Sequence, residues 1–206
     1  MADYSARQAA VLESALRLLV DGGEKALTTA GVARAANCSK ESLYKWFTDR
    51  DGLLSAMIDY QAAKVRAIEL DAGPLTAARF RGLLTGFGRD LLDVLSGDVS
   101  LALNRLAIGQ ASRDGAKLGR LLEERGRRQV RRRAVALMEA GAAAGLLAID
   151  SGDEAYETFY GLVVSDLHLR MLLGEDIRLT GEEAARRVER MVGAFLRLHA
   201  DGGTAR

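Results

Sequence analysis

Over residues 4–21, Ala10, Val11, Ala15, Leu18 and Leu19 recur at spacings of three and four, which predicts a helix. Gly22 and Gly23 are expected to end it, because glycine tolerates the left-handed conformation at a helix C-terminus. Short elements fill the stretch up to Phe47. A long helix is then predicted from Asp49 to Leu70, with Leu53, Leu54, Met57, Ile58, Val65 and Ile68 on its apolar side. It stops before Gly73-Pro74, the best boundary candidate in the chain. Five more helical stretches follow, over 75–95, 99–111, 115–144, 153–173 and 181–199. Ser96-Gly97-Asp98, Ser151-Gly152-Asp153, Gly174 and Gly181 separate most of them. Thr180 is the expected N-cap of the last helix, with Glu182 and Glu183 in its first turn where carboxylates suit the helix dipole. The sequence shows no internal repeat, and Asp201–Arg206 reads as a frayed tail.

Composition narrows the class. A single proline, Pro74, in 206 residues favours an all-α protein of about nine helices. With 49% hydrophobic residues the chain can bury a core as one large domain or two small ones. Its net charge of +1 means that any polyanion must be held by a local patch. Cys38 is the sole cysteine, so no intramolecular disulfide forms, and one cysteine with two distant histidines makes no metal site. No run of 18 apolar residues reads as a membrane span, and the N-terminus lacks the apolar core of a secretory signal, so the cytoplasm is the expected location. Phosphate loops, HExxH and a Ser-His-Asp set are all missing; no enzyme activity, cofactor or metal is expected.

The informative segment is 28–47, TTAGVARAANCSKESLYKWF. Thr29 can cap a short helix over 30–36 whose small apolar face is Val32, Ala33 and Ala36. Asn37 suits a positive-φ turn, and Cys38 is the apolar residue tucked beneath it. Ser39 then caps a second helix over 40–47. On a helical wheel Leu43 and Phe47 face inward, Glu41, Ser42 and Lys45 face out, and Lys40, Tyr44 and Trp46 flank them. Two short helices and a tight turn make a helix-turn-helix, whose second helix can enter a major groove. Lys40 and Lys45 can reach phosphates or guanine edges, the Ser42 and Tyr44 hydroxyls can bond phosphate oxygens, and Glu41 can accept from cytosine. Thr28 and Thr29 at the preceding helix mouth, and Arg50 at the next, can meet the backbone. An alternative for Glu41 and Lys45, four apart, is a solvated ion pair.

These residues carry a resemblance. Residues 7–60 resemble the N-terminal domain of TetR-family transcriptional regulators, through Leu27-Thr28-Thr29, Val32-Ala33, the turn before Ser39, Leu43-Tyr44, Trp46-Phe47 and Asp49-Arg50-Asp51-Gly52-Leu53-Leu54. The resemblance implies DNA contacts by Thr28, Thr29, Ser39, Lys40, Glu41, Ser42, Tyr44, Lys45 and Arg50. Asn37 and Cys38 depart from the family's usual glycine and valine, and Arg50 replaces a lysine. Residues 1–60 hold seven Lys/Arg against eight Asp/Glu, so dimerisation is expected to supply affinity that one subunit lacks. The implied organisation is a DNA-binding domain over 1–48, a connecting helix over 49–73 and a ligand-binding and dimerisation domain over 74–206.

The resemblance further implies a homodimer on a palindromic operator, released by a small apolar or amphipathic effector. Apolar residues cover more than half the circumference of the 153–173 helix, so Tyr156, Phe159, Tyr160, Val163 and Leu167, with Met191 and Phe195 of the last helix, are dimer-interface candidates. Phe80, Phe87, Leu91, Leu103, Leu106, Ile108, Leu137 and Met138 are candidates for an effector-pocket wall. Asp166 and Arg170, four apart, are expected to pair, and His168 falls on the polar side. The run EERGRRQVRRR over 123–133 reads as a solvated face laced by Glu123–Arg127 and Glu124–Arg128 pairs. Residues from Asp150 through Phe159-Tyr160-Gly161-Leu162 to Asp166-Leu167-His168-Leu169 loosely resemble the AefR-like C-terminal domain. The alternative reading is a helical ligand-binding or interaction module without DNA affinity.

Overall fold

The computed structural model describes residues 4–70, 73–112 and 116–200, and every regular element among them is helical. The expected tail, Asp201–Arg206, lies outside the described residues. In order the elements are α1 (Ala6–Ala26), α2 (Thr29–Ala35), α3 (Lys40–Phe47), α4 (Arg50–Ala62), α5 (Ala77–Ser96), α6 (Asp98–Gln110), α7 (Lys117–Leu121), a π-helical turn (Leu122–Arg127), α8 (Arg128–Ala143), α9 (Gly152–Val164), α10 (Leu167–Leu172) and α11 (Gly181–Leu198). They divide into two compact units, one of residues up to Lys64 with Gly97–Gln129, the other of Val65–Ser96 with the chain from Val130 on.

In the first unit, Ser5 and Gln8 close a reciprocal capping box that starts α1. Val11, Leu12, Leu16 and Leu19 of α1 pack with Val32, Leu43, Phe47, Leu54, Met57 and Ile58 of the next three helices. Leu103, Ala107 and Leu118 join the same core, so α6 and α7 belong to the unit that carries the short helix pair. Each buried Val, Leu, Ile, Phe or Met side chain contributes about 1.5–3 kcal/mol.

In the second unit, Phe159 meets Phe195 edge to face at 5.4 Å and Phe87 at 6.0 Å. α5 runs against α11 so closely at Gly88 that a Cβ there would lie 2.8 Å from Val188 Cγ1. The Phe80 ring lies on Gly141 of α8 in the same manner.

Four boundaries differ from the sequence reading, three of them for a tertiary reason. Gly23 takes φ 63° as expected of a stop, yet one more helical turn runs on to Ala26. The helix from Asp49 ends at Ala62 instead of Leu70. Arg66 takes hold of Asp90 through its backbone N–H at 3.0 Å and through Nε and Nη2 at 2.8 Å each, and Val65 is buried, so the chain is drawn off the helix axis. The expected 115–144 helix contains the π-helical turn; Arg125 of the turn and Gln129 of α8 both reach Asp59, at 3.5 and 3.1 Å. The expected 153–173 helix breaks at Ser165, φ 52°. Arg187 there donates to the released carbonyls of Val163 and Val164, at 2.8 and 3.5 Å.

Candidate nucleic-acid interface

Local chemistry builds the short helix pair. Thr28 Oγ1 accepts from the Gly31 N–H at 3.0 Å and caps α2. The cap is Thr28, one residue before the expected Thr29. Asn37 takes φ 49°, and the Cys38 N–H returns to the Ala33 carbonyl at 2.9 Å. Ser39 Oγ accepts from the Ser42 N–H at 3.1 Å and starts α3. At the far end Thr48 takes φ 66° and ψ −59° while the Asp49 N–H reaches the Phe47 carbonyl at 2.7 Å, a three-residue γ-turn. Asp49 then caps α4 through the Gly52 N–H at 2.8 Å. Gly52 is required here, since a Cβ would lie 1.9 Å from the Phe47 carbonyl oxygen.

The two faces of α3 separate as the wheel predicts. Leu43 and Phe47 are 4% and 5% exposed, whereas Tyr44 is 54% exposed. Lys40, Glu41 and Lys45 are exposed on the same helix, as are Thr28, Ser39 and Arg50 beside it; Ser42 and Thr29 are half-buried. Neither lysine has a carboxylate partner among the described residues, and the alternative Glu41–Lys45 ion pair is not formed. Its own backbone N–H and the Ser39 hydroxyl hold the Glu41 carboxyl below the usual glutamate range. The helix thus offers two uncommitted cations, a phenol and an ionised carboxylate on one side.

Several supporting contacts carry no signal in the sequence. Arg7 of α1 donates from Nη2 to the carbonyls of Ala36 and Asn37. Arg50 is held by Glu24 at 3.0 Å, and the same Glu24 oxygen accepts from Gln110 of α6. Lys117 pairs with Asp51 in the first turn of α4. At the other end of α4, burial pushes the Asp59 carboxyl up despite Arg125 and Gln129 beside it.

The other expected sets are partly redistributed. Phe80, Phe87, Leu91, Leu137 and Met138 are buried in the second unit. Leu103 and Leu106 pack in the first, because α6 turns its apolar side to α1, and Ile108 is 63% exposed. Among the dimer candidates, Phe159, Val163 and Phe195 are wholly buried within the chain, and Tyr156 and Leu167 nearly so; only Tyr160 and Met191 keep part of their surface. Large apolar side chains left outside are Leu169 and Leu173, 58% and 78% exposed.

Arg170 pairs with Glu175 at 2.6 Å instead of Asp166, because Glu175 sits past the end of α10 where its carboxylate faces the guanidinium. His168 is half-buried, with Nδ1 2.9 Å from the Leu95 carbonyl oxygen, so it is not an open polar-face histidine. The arginine run keeps its Glu123–Arg127 pair, at 3.7 Å, but Arg125 holds Asp59 and Arg131 bridges Asp153 and Glu157 at 2.6 and 2.9 Å. Much of that run ties elements together.

No helix among the described residues is long and apolar enough to cross a membrane. The profile described as bacterial regulatory proteins, tetR family, matches residues 11–57, which include α2, α3 and most of α4. The profile described as the AefR-like transcriptional repressor C-terminal domain matches residues 82–201. A TetR transcriptional regulator from Agrobacterium tumefaciens is 60% identical over 97% of each chain, with a TM-score of 0.84. The flavonoid-responsive regulator FrrA is 26% identical over 95% of this chain and 98% of its own, with a TM-score of 0.68. A TetR-family protein of Mesorhizobium loti, 22% identical over 95% and 97%, shares the fold at a TM-score of 0.74. No curated relative matches the chain. With a profile over more than half its length and a 60%-identical structural relative, the chain belongs to the TetR family of DNA-binding transcriptional regulators.

Proposed function

We propose that the protein is a cytoplasmic, ligand-responsive repressor that binds a palindromic operator as a homodimer and has no enzymatic role. The carrying observation is the division of α3, with Leu43 and Phe47 buried and Lys40, Tyr44 and Lys45 presented outward. Thr28, Thr29, Ser39, Ser42, Tyr44 and Arg50 would position it on phosphates, Glu41 would meet a cytosine edge, and Lys40 and Lys45 would reach phosphates or guanine edges. The 1–48 segment would read DNA, 49–73 connect, and 74–206 bind effector and partner.

A dimer is needed because one reading helix covers half a site, and paired helices must stand about 34 Å apart to reach successive grooves. The exposed Leu169 and Leu173, with the half-covered Tyr160 and Met191, support a self-association face. Likeness to FrrA, described as flavonoid-responsive, supports an amphipathic effector, and the AefR-like profile supports repression. Such an effector acts only through unequal affinity for two conformations.

A gel-shift against DNA flanking the protein's own gene, paired with sedimentation, tests this reading. Two chains per complex and an affinity falling steeply with salt are expected. A dimer that shifts no such DNA would leave the module without DNA affinity as the better description.

A further inference from the structure

The second unit carries a cluster of charge that the regulatory reading does not use. α5 and α11 lie side by side, and Arg89 of α5 meets Glu189 of α11 at 3.0 Å. Eight residues earlier on α5, at Arg81, α11 supplies no carboxylate; it supplies Gly193 and a second arginine, Arg197. Measured from the point where a Gly193 side chain would begin, Arg197 Nη1 is 3.5 Å away and Arg81 Nη2 is 3.7 Å away. Two guanidinia thus converge on one vacant point above a glycine.

The surroundings leave that charge unbalanced. These residues line a cleft of about 610 Å³ together with Arg186, Glu189 and Arg190. Arg186 is matched by Glu182 at 2.5 Å and Glu189 by Arg89. Among the described residues, Arg81, Arg190 and Arg197 have no carboxylate within ion-pair distance, whereas Arg66, Arg131, Arg170 and Arg178 of the same unit each have at least one. Placing guanidinia together without a counter-charge costs Coulomb energy that an intervening anion would reverse. Glycine is a poor choice for a helix interior, and here its missing side chain leaves the space between the two forks.

We propose that Arg81 and Arg197, with Arg190 at the rim, form a binding site for a compact oxyanion, the phosphate or carboxylate group of a small molecule. Guanidinium forks suit such groups because they donate two parallel hydrogen bonds to paired oxygens. The site lies in the unit that does not contain α3, and it stands whether or not the DNA reading does.

Calorimetric titration of the full chain in Hepes at low ionic strength tests it, with inorganic pyrophosphate in one arm, glutarate in another and sodium chloride at matched ionic strength as control. The expected result is one pyrophosphate or glutarate per chain, the preferred arm identifying which oxyanion the site takes. Arg81→Gln and Arg197→Gln should each weaken binding by at least about tenfold. Gly193→Leu, which fills the gap without removing charge, should do the same, while Arg178→Gln, from an arginine paired elsewhere, should bind as wild type. Heats equal to those of sodium chloride, or full binding by Gly193→Leu or by the Arg81→Gln/Arg197→Gln double variant, would overturn the proposal.

Discussion

Arg7 and Asn37 are joined across the helix-turn-helix: Arg7 Nη2, in the first turn of α1, donates to the Asn37 carbonyl at 2.5 Å and to the neighbouring Ala36 carbonyl at 3.1 Å. Both acceptors lie at the C-terminal end of α2, where helix carbonyls have lost their own partners. One guanidinium therefore fixes the residue whose φ of 49° sets the angle between α2 and α3. Arg7→Ala should lower DNA affinity by about tenfold, since hydrogen bonds from a charged donor contribute about 1.5–3 kcal/mol and this one is exposed. Anisotropy titration measures it. An unchanged affinity would mean the turn holds its shape without the anchor.

Glu24→Gln tests the restraint on Arg50. The ion pair is exposed and worth about 0–1 kcal/mol, so folding stability should hardly move. If Arg50 is a phosphate contact, freeing it should tighten DNA binding and steepen the salt dependence by about one unit of slope. Binding that is indifferent to the substitution would remove Arg50 from the interface.

Thr48 sits at the centre of the γ-turn between α3 and α4, with a φ of 66° that a β-branched residue adopts only under strain. Thr48→Gly should raise thermal stability, by about 1 kcal/mol. A loss of stability would show that the Thr48 side chain contributes more than its backbone costs.

The start of α11 gives a pH dependence. The Thr180 N–H and hydroxyl both donate to Glu183, at 2.8 and 2.9 Å, and hold its carboxyl below the usual glutamate range. A carboxyl with a depressed folded-state pKa contributes stability that is present above the unfolded value and is lost as pH falls through the folded one. Glu183→Gln, which removes the titrating group, should therefore destabilise the protein at neutral pH and make its acid unfolding curve shallower than wild type. Parallel curves would rule out this box as the source.

What the sequence revealed was local. Ser39, Asn37, Leu43 and Phe47 were readable because capping, turn chemistry and helical period involve neighbours in the chain. The stop at Ala62, the break at Ser165 and the turn at Leu122–Arg127 were not, because Arg66, Arg187 and Asp59 act on them from a distance. Apolar periodicity singled out Phe159 and Phe195 as dimer-interface candidates, because it could not distinguish a neighbouring helix from a second subunit; within the chain the two rings pack on each other. Arg7 and Glu24 carry no motif; their importance is visible only once α1 lies beside the turn.

The exposed side of α3 is the point on which DNA reading rests, and its direct test is operator affinity measured across a salt series for wild type, Lys45→Ala and Tyr44→Ala. Both side chains are exposed, so both variants should keep the wild-type melting temperature and self-association. Lys45→Ala should bind more weakly with a salt slope reduced by about one, and Tyr44→Ala should weaken binding with the slope nearly unchanged. Wild-type affinity and slope in both variants would contradict the assignment of this helix to the groove.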